Sequence, residues 1–310
     1  MKPGERTLIL RTGALGDVLM LLPLVHALHS QMGMRVSLGV QAHQTKLLSG
    51  FAGVDSAYST DRLELWRLYG PGPGPAKTWP PGERVIAFLR DEAGDLKERL
   101  ERVSGAAAVV VPPFPEAASS LHVSRYYLAC GLPGPALPGP APDPSFPRYV
   151  PDSPAPAHGV PPPDSAGGAA LWAVHPGSGG ESKNWNLEGF KRCVRFLESQ
   201  GVRTALILGP GEESRFHELE AALGGDIIIR GRDLAAVAAF LRRCRGFLGN
   251  DSGLTHLAAI LGLPTVAVFG PKSTGNWCPL GRKVAWVRGS PGAWPESGSV
   301  IAALESLLPQ

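Results

Sequence analysis

The chain has 310 residues, 44 % of them hydrophobic and 18 % charged, with a formal net charge of +3. That length predicts two domains, and the apolar content excludes a disordered chain. Lys and Arg are scattered rather than blocked, so the electrostatic footprint of a nucleic-acid binder is absent.

The first third alternates strands and helices. Leu8-Ile9-Leu10 predicts a buried strand, followed by a Gly-rich turn at Gly13–Gly16 and a helix from about Asp17 to Gln31. Val36–Val40 predicts a second strand. Val85–Leu89 and Ala107–Val111 predict two more, with a charged amphipathic helix over Glu92–Val103 between them. This β-α-β rhythm belongs to a parallel sheet.

Residues 133–168 hold 13 of the 31 prolines. Proline removes a backbone donor and fixes φ, so neither a regular helix nor a central strand runs there. An extended interdomain linker is the expectation, with a long surface loop inside one domain as the alternative. The resulting division is a first Rossmann-like domain over residues 1–150, a Pro/Gly-rich linker over 151–168, a second Rossmann-like domain over 169–298 and a C-terminal helix over 299–310.

A second β-α rhythm follows. Ala170–His175, Thr204–Leu208, Asp226–Ile229, Gly246–Gly249 and Thr265–Phe269 predict strands. Leu187–Gln200, Glu212–Leu223, Asp233–Cys244 and Gly253–Leu261 predict helices, and Ser299–Leu308 a last short one. Two such open sheets predict a cleft lined by strand C-termini, where ligands bind.

Cys130, Cys193, Cys244 and Cys278 are far apart and form no C-x-x-C pair. Neither a disulfide framework nor a zinc site is expected, and a reducing cytoplasm fits. Met1–Arg6 leads into too short an apolar run for a secretory signal. Val18–Val25 contains Pro23 and is too short to span a bilayer. Peripheral contact with a membrane surface stays open. His26 and His29 lack a third ligand for a metal. Trp172, Trp277 and Trp294 read as packing residues, and Trp185 as either packing or near a site. Cys193 and Cys244 read as core thiols.

Three strand-to-helix junctions carry the chemistry. Arg11-Thr12-Gly13-Ala14-Leu15-Gly16-Asp17 permits a tight turn and close approach of a ligand. It is not G-x-G-x-x-G, and no acidic residue ends the second strand, so a dinucleotide fingerprint is weak. Asp17 alone reads as an N-cap or a favourable charge on the helix dipole. His175-Pro176-Gly177-Ser178-Gly179-Gly180-Glu181-Ser182-Lys183-Asn184-Trp185 offers loop N–H groups at Gly177, Ser178 and Gly179 to an anion, and Lys183 a mobile cation. An ordinary solvated loop is its simpler reading. Gly249-Asn250-Asp251-Ser252-Gly253-Leu254-Thr255-His256 opens a small apolar helix whose N-terminus suits a diphosphate. Ser252 and Thr255 can donate hydroxyl hydrogen bonds there, with capping by Asp251 or Ser252 as the simpler reading.

Together these loops resemble glycosyltransferase family 9, the heptosyltransferases of lipopolysaccharide core synthesis. The resemblance rests on R-T-G-A-L-G-D, H-P-G-S-G-G-E-S-K-N-W, L-G-P-G-E, N-D-S-G-L-T-H-L-A-A-I-L-G-L-P-T-V-A-V-F-G-P and N-W-C-P-L-G. It covers the first ~40 residues and nearly all of the second half, judged by motif placement. It implies a GT-B fold, two Rossmann-like domains facing a central cleft. It implies that Asp17 is the catalytic base and that Lys183 reaches the donor phosphates. Asp251, Ser252, Gly253, Leu254 and Thr255 would form the diphosphate loop with His256 close by, and Glu212 would hold the donor ribose.

The resemblance also implies a nucleotide-sugar donor, plausibly ADP-heptose, a glycolipid or oligosaccharide acceptor, and a cytoplasmic place of work at or near the inner membrane. No cofactor is expected. No D-x-D signature argues for a metal, and Lys183 with the helix start can stabilise the leaving diphosphate. Departures are Lys272 where the family commonly has a hydroxyl after F-G-P, Gly231-Arg232-Asp233 where it reads G-K-T or similar, and a shorter, proline-rich acceptor half. A nucleotide-sugar epimerase and a non-catalytic nucleotide-sugar binder are the competing functions.

Overall fold

The computed structural model describes residues 4–70, 78–80, 82, 84–116, 119–132, 170–273 and 275–309. The chain divides into two compact units, Met1–Asp152 and Ser153–Gln310. The linker expected over residues 133–168, including 151–168, lies outside the described residues.

The first unit is a five-stranded parallel sheet in the order β3-β2-β1-β4-β5, made of β1 (Arg6–Leu10), β2 (Arg35–Val40), β3 (Ser56–Ser59), β4 (Arg84–Phe88) and β5 (Ala107–Val111). Continuous apolar runs suit strands covered on both faces. Leu8, Leu10, Val85 and Ala87 pack on one face with Leu63, Trp79 and Leu100. The order reverses between β1 and β4, so the turn after β1 opens at the switch point where such sheets bind ligands.

The single helix expected over Asp17–Gln31 is broken into three pieces. It starts earlier, as α1 (Leu15–Leu19), restarts as α2 (Leu22–His26), and then widens into a π turn over Ala27–Gln31. Pro23 stands in the first turn of α2. It has no N–H to continue the ladder, and its ring opposes the carbonyl four residues earlier. Further on come α3 (Thr45–Leu48), α4 (Leu96–Ser104) and α5 (Val123–Gly131). The α4 helix begins later than expected because the Asp91 carboxylate binds the amides of Gly94 and Leu96, holding Asp91–Leu96 as a turn.

The second unit is a six-stranded parallel sheet in the order β11-β10-β9-β6-β7-β8. Its strands are β6 (Leu171–His175), β7 (Arg203–Leu208), β8 (Ile227–Arg230), β9 (Gly246–Asn250), β10 (Thr265–Phe269) and β11 (Val284–Arg288). Its helices are α6 (Leu187–Ser199), α7 (Phe216–Leu223), α8 (Leu234–Leu241), α9 (Gly253–Ile260) and α10 (Ser297–Leu307). Every strand pair is parallel. The core joins Trp172, Phe190, Leu197, Leu248, Val268, Val300 and Leu304. Trp172 and Trp185 are packing residues, and burial pushes the thiols of Cys193 and Cys244 up to about 12, as inert core cysteines require. The helix expected from Glu212 is a 3-10 turn over Pro210–Arg215 that leads into α7. Both units are thus α/β with all-parallel sheets, the fold class expected from the sequence. Among the described residues no helix is long and apolar enough to cross a membrane, and no three candidate ligands gather as a metal would need.

Candidate functional site

In the first unit the β1–α1 turn is clamped from two sides. Gln41 Nε2 donates to the Thr12 carbonyl at 2.9 Å and Gln44 Nε2 to the Gly13 carbonyl at 3.1 Å. Asp17 sits in the first turn of α1, not at its cap, which is Ala14. Its Oδ2 accepts from the Ala14 N–H at 2.9 Å. The carboxylate folds back so closely over Gly13 that a Cβ there would lie 2.2 Å from Oδ2. Glycine at this position is therefore required by space. The same Oδ2 lies 3.3 Å from Arg11 Nη2, and the Asp17 side chain keeps 20 % of its surface exposed.

The other predicted site residues belong to the second unit, on loops that leave the carboxyl ends of β6, β7, β9 and β10. Strand order reverses between β9 and β6, and Asn250 closes that point. Its Nδ2 donates to the Pro176 carbonyl at 2.7 Å, while its Oδ1 accepts from the Trp185 N–H at 3.0 Å. One buried side chain thereby ties the Gly-rich loop after β6 to the end of β9.

Asp251 is the hub of the charged groups. Its Oδ2 accepts from Lys183 Nζ at 3.0 Å and from Ser273 Oγ at 3.3 Å, and its Oδ1 lies 3.7 Å from His256 Nε2. Burial pushes the Asp251 carboxyl up, but His256 and Lys183 together more than offset it and hold it below the usual carboxylate value. Lys183 stays half exposed, so its charge reaches solvent.

Ser252 is the N-cap of α9 and accepts from the Thr255 N–H at 3.4 Å. The hydroxyl of Thr255, expected to face a ligand, is fully buried and donates to the Asn250 carbonyl. It shapes the loop. The amides of Gly253 and Leu254 lie at the positive end of α9, where the first N–H groups of a helix have no partner within the helix. Gly253 and Leu254 are half-buried, and His256 is buried.

The Gly177-Ser178-Gly179 loop lies over Glu212. Glu212 is buried, and its Oε2 accepts from the Gly209 N–H at 2.7 Å. A Cβ on Gly177 would fall 1.8 Å from Glu212 Oε1. Ser178 Oγ donates to the Gly180 carbonyl at 2.7 Å, tightening the loop on itself. His175 donates from Nδ1 to the Ile207 carbonyl at 2.9 Å. Burial holds its imidazole below the usual value, against the pull of Glu212.

The structure thus gathers Lys183, Asp251 and His256 into one cluster beside the capped start of α9. It puts Glu212 under the Gly177 loop, and it builds Asp17 separately within the first unit. Sequence reasoning gave no role to Asn250, Ser273, Arg11, Tyr127, Gln41 or Gln44. Ser273 supplies the hydroxyl whose absence at Lys272 had been noted, one position later in the chain. His26 and His29 hold Ser30 and the Met34 carbonyl.

Residues 158–300 match the model of a family described as glycosyltransferase family 9 (heptosyltransferase). Lipopolysaccharide heptosyltransferase 2 of Salmonella typhimurium is 29 % identical over 115 residues, which are 35 % of this chain and 33 % of that protein. The matched stretch therefore spans about a third of that relative's length. The structure of E. coli ADP-heptose LPS heptosyltransferase II aligns with a TM-score of 0.72 at 18 % identity, over 99 % of this chain and 98 % of that one. E. coli heptosyltransferase WaaC with ADP-2-deoxy-2-fluoro heptose aligns with a TM-score of 0.65 at 22 % identity, over 97 % and 99 %. These two share the fold, the GT-B class built from two parallel-sheet α/β units.

Proposed function

We propose that this chain is a member of glycosyltransferase family 9, whose model its residues 158–300 match, and a heptosyltransferase of lipopolysaccharide biosynthesis. In this reading it moves heptose from ADP-heptose to a hydroxyl of a lipopolysaccharide-core acceptor, inverting the anomeric carbon and needing no metal. The observation that carries the reading is the Lys183–Asp251–His256 cluster at the start of α9, on the strand-order switch of the second sheet. A parallel sheet receives phosphate groups at that place.

In this mechanism a domain over residues 169–298, within the second unit, holds the donor, and a domain over 1–150, within the first, the acceptor. The diphosphate lies on the amides of Gly253 and Leu254, with Lys183 against its charge. As the glycosidic bond breaks, negative charge grows on the diphosphate and these fixed donors stabilise it. Asp251 keeps Lys183 on the phosphate side. Glu212 holds the ribose, and the Gly177–Gly179 loop closes over it. Asp17 takes the proton of the attacking hydroxyl. Attack opposite the leaving group inverts the centre. The work is done in the cytoplasm, with peripheral contact at the inner membrane where a lipid-linked acceptor resides. Support for the donor comes from WaaC, whose structure holds an ADP-heptose analogue.

The test is a nucleotide-sugar panel read by thermal shift and by product analysis, with and without an inner-core acceptor. ADP-heptose should raise the melting temperature most, by linkage, and should give a glycoside only when acceptor is present. An isomerised sugar formed from donor alone would establish an epimerase instead. Binding without product under every acceptor would establish a non-catalytic binder.

A further inference from the structure

A guanidinium is buried directly behind the Asp17 carboxylate. Arg11 is only 4 % exposed. Its Nη2 lies 3.3 Å from Asp17 Oδ2, an ion pair whose angle falls outside a hydrogen bond. Its Nε donates to the Tyr127 hydroxyl at 3.2 Å, and its Cζ stands 4.8 Å from the centre of the Phe114 ring. Tyr127, on α5, is fully buried, and its ring lies 4.6 Å from that of Phe88. Its hydroxyl donates to the Pro113 carbonyl at 3.1 Å, which turns a lone pair toward Arg11. Burial raises the phenol, outweighing the neighbouring Arg11, so the hydroxyl keeps its proton.

A buried cation is costly unless a partner compensates it. Here the partners are a phenol oxygen, an aromatic face and one carboxylate oxygen that also takes the Ala14 amide. Both contacts to Asp17 fall on Oδ2. We infer that Arg11 is a positioning residue for Asp17 and that Tyr127 anchors Arg11. Arg11 and the Ala14 amide fix Oδ2, so that Oδ1 is the oxygen offered to the acceptor hydroxyl. This inference rests on the reading of Asp17 as the base. The set draws on the turn after β1, the loop after β5 and helix α5, so the rotamer of Asp17 depends on chain more than a hundred residues away.

The test is a double-mutant cycle on the donor–acceptor pair that turns over, with ADP affinity by calorimetry and melting temperature measured on each variant. Arg11→Gln should lower kcat about ten- to a hundred-fold, the size of one charge-assisted contact, with ADP affinity unchanged. On an Asp17→Asn background the same substitution should change the residual rate by less than about three-fold, because coupled residues are not additive. Arg11→Lys, which keeps the charge but not the fork, should recover part of the loss. Tyr127→Phe, which keeps the ring, should lower kcat about two- to ten-fold. A merely structural Arg11 would lower the melting temperature, leave kcat per folded molecule intact and act equally on both backgrounds. That result, or Arg11→Lys no better than Arg11→Gln, overturns the inference. If Asp17→Asn itself turns over at the parental rate, the base reading has failed. If Asp17→Asn is impaired and Arg11→Gln is not, only the positioning role has failed.

Discussion

Lys183 and Asp251 are 68 positions apart in the chain, and their side chains meet at 3.0 Å on the carboxyl edge of the second sheet. The ammonium is half exposed and the carboxylate is buried. Such a pair adds little to stability from the lysine side. It does set the direction of the lysine, because the carboxylate is fixed by the loop. Lys183→Ala should therefore leave the melting temperature nearly unchanged while weakening ADP binding about ten- to a hundred-fold, the loss of one charge-assisted phosphate contact. Calorimetric affinity equal to the parent would remove Lys183 from the phosphate site.

The lowered pKa of Asp251 gives a pH signature. A carboxyl held below its unfolded value contributes stability that is fully present above about pH 3.9, and that is lost as pH falls through the folded value. His256 and Lys183 are the groups that hold it down, against the opposing effect of burial. The parent should lose stability below about pH 4 more steeply than Asp251→Asn does. Denaturant midpoints across that range, measured on both proteins, check this. Parallel curves would mean that the network contributes nothing to acid stability.

Asp17 separates capping from catalysis. Asp17→Asn keeps the acceptor for the Ala14 amide but cannot take a proton. Turnover should fall by about 10²–10⁴, with donor affinity close to the parent and the melting temperature lowered, because buried Arg11 loses its carboxylate partner. Asp17→Ala should in addition cost about 1 kcal/mol, because the amide loses its partner. If both variants keep parental turnover and differ from the parent in stability alone, the residue is a structural element of the turn and not the base.

A pair of glycines in one loop tests the seat of the donor. A Cβ at Gly177 would collide with Glu212 Oε1, whereas nothing lies within 4 Å of one at Gly179. Gly177→Ala must displace a buried carboxylate. It should cost about 1–3 kcal/mol, the usual range for overpacking, and should weaken nucleotide binding. Gly179→Ala should be silent in stability. Thermal melts of the two variants are enough to decide, and equal melts would mean that Glu212 can swing away freely.

Activity should persist in EDTA, since the cationic contribution is assigned to Lys183 and to the amino end of α9. Turnover abolished by chelation and restored by Mg²⁺ or Mn²⁺ would replace that assignment.

The parts of the fold that were legible in the sequence are those written by local periodicity. The strand Thr265–Phe269 was placed to the residue, because Thr265 and four apolar residues are flanked by Pro264 and Gly270. The β3 strand, Ser56–Ser59, was missed because its four residues are half exposed at a sheet edge and carry no apolar run. The break in the first helix comes from Pro23, which interrupts the ladder inside a run that stays apolar on both sides, so periodicity alone reads as one helix. Within the site, the Gly- and Asp-containing loops were legible as loops. What held them together was not. Asn250, Gln41 and Gln44 act through hydrogen bonds to carbonyls 29 to 74 positions away. A single amide side chain leaves no spacing pattern of its own. Ser273 follows Lys272 directly in the chain, and only the backbone path decides which of the two reaches Asp251.

Each sheet takes all of its strands from one uninterrupted stretch, β1 to β5 and then β6 to β11. Parallel pairings such as β1 with β4 join distant positions and form slowly. During synthesis, among the described residues, the first sheet is complete in sequence at Val111 and its last helix at Gly131, before Leu171 begins the second. At about 5–20 residues per second, the remaining chain takes on the order of ten seconds to emerge. The first unit therefore has that interval to close without competing strands. A ribosome stalled between the two sheets would carry the Asp17 turn and none of the loops that follow β6, β7 and β9.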